Sequence, residues 1–78
     1  MLVIWNTLAD IRNEVRTAAN RMGRIWNEAE TVLDKNTLDQ SICRAALVAA
    51  IRESTTVLDD LKAGMERELK QLGEEAAS

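Results

Sequence analysis

From Ile4 to Val32, apolar side chains recur at Ile4, Leu8, Ile11, Val15, Ala18, Met22, Ile25, Ala29 and Val32, in alternating steps of four and three. That alternation, held over four heptads, draws one apolar line along an α-helix and predicts a helix over residues 4–34. At ~1.5 Å per residue it is roughly 45 Å long, too long for a compact monomer of this size. With Ile4 and Ile11 as d positions, the neighbouring e row holds Trp5, Arg12, Ala19, Trp26 and Leu33. The apolar stripe is then three positions in seven wide, which suits a bundle helix better than a two-stranded coil. Thr7 with Asp10 offers an alternative start, a cap that leaves residues 1–6 outside the helix. The unbroken phase through Ile4 favours a helix that runs past it.

The pattern breaks at Asp34–Gln40. Asp34, Lys35 and Asn36 close the first periodic segment, and Thr37 with Gln40 matches the Thr-x-x-Gln capping box, with Leu38 opening a second apolar series. A turn over 34–37 is short enough to make its two helices antiparallel neighbours. The second helix is expected over about 38–73, ending at Gly73 with a frayed tail over 74–78. Two stripes run along it: Leu38, Ile42, Ala45 and Ala49 form one, and Leu47, Ile51, Leu58, Leu61, Met65 and Leu72 the other. At about 100° per residue they lie on opposite sides, which predicts a helix covered on both. Ser54, Thr55 and Thr56 are poor helix formers, so a three-helix arrangement with a break at 54–56 is the alternative. The absence of Gly or Pro there favours one continuous helix.

Composition turns this pattern into an expectation about assembly. The chain has 78 residues, no Pro, three Gly, one Cys and no His. A domain so short buries only roughly 60% of its unfolded surface and ordinarily needs a disulfide, a metal or a partner subunit. A single cysteine forms no internal disulfide, and the ordinary zinc ligand sets are missing. Oligomerisation remains. The expected fold is all-α, an antiparallel helical hairpin of two long helices in a single domain, assembling into a four-helix-bundle-like homo-oligomer, with a dimer favoured. Its expected oligomer core takes Ile4, Leu8, Ile11, Val15, Ala18, Met22 and Ile25 from the first helix, and Leu47, Ile51, Leu58, Leu61 and Met65 from the second.

Candidate chemistry is sparse. Without His, acid–base catalysis near neutral pH needs a strongly shifted carboxylate, Lys or Cys. Asp34 and Asn36 begin a calcium-loop pattern, but Leu38, Asp39 and Ala45 then stand where a ligand, a Gly and a Glu are required. Gly23, Gly64 and Gly73 are isolated, so no phosphate-cradling loop exists. No catalytic residue, cofactor or metal ligand is assigned. Cys43 is expected to be a free thiol in a packing position. The longest apolar run, Ala45–Ile51, is far below the ~20 residues of a membrane span, and residues 1–5 lack the basic start of a signal peptide. A cytoplasmic location follows as the expectation.

Three functional classes remain. The first is a non-enzymatic interaction module (adaptor, chaperone or inhibitor of a protein partner) working through apolar helix faces, with Trp5, Arg12, Trp26, Leu33 and Leu69 as contact residues. The second is a nucleotide- or RNA-binding bundle using Arg16, Arg21 and Arg24 with Trp26. The formal net charge of −3 and the scatter of those arginines around the helix count against it. The third is a structural subunit of a larger assembly, including a phage-encoded one. RNA-binding copy-control dimers, secretion chaperones and short phage inhibitors share the size and hairpin character, but no residue motif ties the chain to any of them. Finally, the triplet Ile-Trp-Asn occurs at 4–6 and at 25–27, three heptads apart. On the e row this predicts that Trp5 of one chain meets Trp26 of another across an antiparallel helix pair centred near Val15 and Arg16.

Overall fold

The chain folds as two antiparallel helices, α1 (Leu2–Lys35) and α2 (Gln40–Ala77), joined by residues 36–39. This computed structural model describes the backbone of residues 2–77 and the side chains of 3–73. The described residues contain no strand, and the fold is an all-α hairpin. Helix α1 runs through Thr7, which lies in the seam between the helices rather than at a cap.

The connection is held by its own polar groups. The Asn36 side-chain amide donates to the Val32 carbonyl at 2.9 Å, satisfying one of the acceptors left open at the end of α1. The Asn36 carbonyl accepts from the Asp39 N–H at 2.9 Å and from the Cys43 thiol at 3.2 Å. Asp39 caps α2, its carboxylate accepting the Ile42 N–H at 3.2 Å. The expected Thr37–Gln40 box is therefore not the cap. A carboxylate two residues later does the same work, and α2 starts at Gln40 rather than 38. Leu38, expected to open an apolar stripe, sits at the loop tip with 98% of its surface exposed. Gly73 does not stop α2, which continues to Ala77; Ser78, the end of the expected tail, lies outside the described residues.

Helix α2 is also continuous through 54–56, which rules out the three-helix alternative. Each hydroxyl there has a partner that spares the backbone. Thr55 and Thr56 donate to the carbonyls of Ile51 and Arg52, four residues back, at 2.9 and 3.3 Å. Ser54 is buried and accepts from Trp26.

The seam between the helices is built from small side chains. Thr7, Ala18 and Ala29 of α1 pack towards Ala50, Ser54, Val57 and Gly64 of α2, all buried, with Ile11, Met22, Ile25, Ala46 and Leu61 half-buried beside them. Val57 is the one described large side chain that is fully enclosed. A methyl group on Gly64 would fall on the Glu14 carboxylate, so glycine lets that half-buried side chain lie across α2.

The seam crosses the heptad line obliquely, for a geometric reason. A straight α-helix drifts about 20° per heptad against a seven-residue repeat. The row Ile4, Ile11, Ala18, Ile25, Val32 therefore starts on one flank of the seam, passes through it at Ala18 and leaves on the other flank. Ile4, Leu8 and Val15 are exposed in consequence. The broad apolar stripe expected on α1 is only partly buried within one chain.

The result is a slab one helix thick, with Cα extents of 61 × 16 × 7 Å. Its radius of gyration is 17.8 Å, against about 11.5 Å for a compact domain of this length. No described helix is long and apolar enough to cross a membrane.

Candidate interaction face

Two side-chain contacts label the two broad sides of this slab. On one side the Trp26 indole N–H donates to the Ser54 hydroxyl at 2.9 Å, across the seam. On the other, Arg21 donates to the Asp60 carboxylate at 3.1 Å. At about 100° per residue, the rest of each helix can be assigned to a side from these two marks.

The Trp26 side is apolar. Helix α1 places Leu8, Val15, Met22 and Leu33 there, and α2 places Leu47, Ile51, Leu58, Met65 and Leu69. Seven of these nine are exposed, Leu58 at 53% and Leu69 at 70%. Trp26 is level with Ser54, so steps along the two antiparallel helices bring Met22 level with Leu58, Val15 with Met65, Leu8 with Leu72, and Leu33 with Leu47. The face is thus a ladder of paired apolar residues with no charge along its middle. Among the described residues charges stand at its outer edges, Arg12 and Glu30 along α1, and Arg44 and Lys62 along α2.

The Arg21 side is polar. An open groove there is lined by Arg21, Arg24, Ile25, Glu53, Thr56 and Val57, and a second by Asn13, Glu14, Thr17, Arg21 and Asp60 among others. Among the described residues no group of three or more Cys, Asp or Glu side chains is placed to hold a metal ion.

The residues singled out in the sequence are distributed unevenly over these sides. Of the five contact candidates, Trp26, Leu33 and Leu69 lie on the apolar face and Arg12 on its edge. Trp5 lies beyond that edge, 65% exposed. Three heptads at about 100° per residue leave it about 60° around α1 from Trp26, so the two indoles do not share a row. A pairing of Trp5 with Trp26 that relies on one shared row of α1 does not fit this geometry. The anion-binding set does not converge either. Arg21 and Arg24 are on the polar side, Arg16 faces away from α2, and Trp26 is on the opposite side with its N–H engaged. Of the oligomer-core set, Ile11, Ala18, Met22, Ile25 and Leu61 line the seam inside one chain. Ile4, Leu8, Val15, Leu47, Ile51, Leu58 and Met65 point outward.

Ser54 and Gly64 were not legible as partners of Trp26 and Glu14, although the spacing of small residues at Ala46, Ala50, Ser54, Val57 and Gly64 carries the signal of a close helix approach. No protein family, curated protein or solved structure matches the chain.

Proposed function

We propose that this protein is a non-enzymatic helical interaction module of the cytoplasm, which holds a protein partner through the Trp26–Leu58 face of the hairpin. The observation that carries this reading is the placement of the large side chains. Among the described side chains, alanines, Thr7, Ser54 and one valine are enclosed between the helices, while the leucines, isoleucines and both tryptophans stay at least partly in solvent. Contiguous apolar patches beyond a few hundred Å² are rare on monomers and mark interaction surfaces. Helix-against-helix docking, with anchors at successive turns, is the mode such a ladder fits.

The alternatives draw less support. A phosphate or base site needs cations and an aromatic ring on one surface, and Arg21, Arg24 and Trp26 are on opposite ones.

Affinity capture from an extract that holds both host proteins and an untagged copy of the chain tests the reading, with the wild-type chain compared with a face variant, Leu58→Glu, and a polar-side variant, Arg24→Glu. The expected result is a protein retained by wild type and Arg24→Glu and lost from Leu58→Glu. Capture that is equal for all three would overturn the assignment of the face.

A further inference from the structure

We infer that the occupant of the apolar face is a second copy of this chain, seated face to face to complete a four-helix bundle. This rests on the face being a docking surface, as proposed above, and names its partner.

Area is the first argument. A compact monomer of 8.7 kDa exposes about 4,700 Å², whereas this hairpin exposes 6251 Å², about 1,500 Å² more. Two copies covering that excess would bury about 3,000 Å² between them, inside the range of obligate dimers. Shape is the second. The face is as wide as the slab, 16 Å between Cα atoms, and its ladder from Leu8 to Leu33 runs about 38 Å along the 61 Å length. A single foreign helix, about 10 Å across with its side chains, would fill the midline above the seam, which Trp26 crosses to reach Ser54, and leave Ile51 and Leu69 on the α2 edge and the outer flank of α1 uncovered. Covering both edges takes a layer two helices wide and equally long, which is another hairpin. It also supplies the second packed layer that domains are built from.

Complementarity is the third argument. The ladder maps onto itself under a two-fold axis lying in the face. With turns at opposite ends and the axis level with Ala18 and Ala19, Val15 meets Met22 of the second copy and Leu58 meets Met65. With turns at the same end, the rungs Met22–Leu58 and Val15–Met65 stack on their equivalents. In either case large apolar groups meet each other, and no charge is brought into the middle. The α1 edge carries both signs and the α2 edge only Arg44 and Lys62, which favours turns at the same end, where α2 of one copy lies over α1 of the other.

Sedimentation equilibrium of the purified chain at micromolar concentration is the test, with helicity followed by circular dichroism. The expected mass is twice 8.7 kDa, with a melting temperature that rises with concentration as a dimer requires. The double variant Leu58→Glu/Met65→Glu should associate about a hundredfold more weakly, because it sets carboxylates into an apolar interface. The exchange Leu58→Met/Met65→Leu, which conserves volume, should keep the dimer; it guards against a fold lost for other reasons. A helical monomer, or a mass other than twice the chain, overturns the second copy. In that event, capture of a host protein that still depends on Leu58 leaves the docking face standing. A dimer unaffected by Leu58→Glu/Met65→Glu overturns both.

Discussion

Val57 and Leu58 are consecutive residues with opposite fates. Val57 is 1% exposed in the seam, and Leu58 projects from the broad face. The contrast extends to the two stripes they belong to. The middle of the seam is made of Ala, Ser, Thr, Gly and one Val, which let the helices approach closely, with Ile11, Met22, Ile25 and Leu61 only half-buried along its flanks. The face is made of Leu, Ile, Met and Trp. At about 25 cal/mol per Å², the exposed parts of those side chains are apolar area whose burial the hairpin by itself does not gain. The closest packing and the largest exposed apolar side chains are thus on different surfaces of the same two helices.

Substitutions can break that contrast in graded ways. The largest effect is expected for Val57→Asp, which sets an unpaired carboxylate into the seam at a cost of about 3–5 kcal/mol. Helicity measured by circular dichroism should collapse at all protein concentrations, whereas Leu58→Glu should leave helicity recoverable at high concentration. Equal behaviour of the two variants would erase the distinction between seam and face. A smaller effect belongs to Trp26→Phe, which removes the bond to Ser54 that ties face to seam. A loss of about 1 kcal/mol, or about 4–8 °C in Tm, is expected. In a Ser54→Ala background the same change should cost less, and additive effects would show that the bond contributes nothing. The smallest is Arg21→Ala on the polar side. Its ion pair with Asp60 is well exposed at both ends, so thermal melts should shift by no more than about 0.5 kcal/mol allows, and less in high salt.

Much of the architecture was legible from periodicity alone. Unbroken steps of four and three between Ile4 and Val32, a polar break after Lys35 and the lack of Gly or Pro near Ser54 point to two long helices and one turn. What periodicity concealed was which stripe faces inward. A heptad count treats the helix as if it wound at 3.5 residues per turn, and at 3.6 the row through Ile4 and Val32 crosses the seam instead of following it. Small residues add to the ambiguity. Ala46, Ala50 and Ser54 look like weak core positions beside Leu47 and Ile51, yet close helix approach selects them for the inside because larger groups do not fit. The candidate contacts were legible to the extent that Trp26, Leu33 and Leu69 share the face. Trp5 was misplaced by the same winding error, and the arginines could be sorted between sides only once Asp60 and Ser54 marked them.

The two indoles have a further use, as built-in optical probes. They are the chain's only aromatic side chains, so ultraviolet emission comes from two fixed points about 31 Å apart along α1. One ring is exposed near the start of the helix; the other is tethered at its N–H and laid across the seam on the apolar face. Solvent quenchers and emission wavelength can therefore report the open end of the hairpin and its apolar face separately, with no label added.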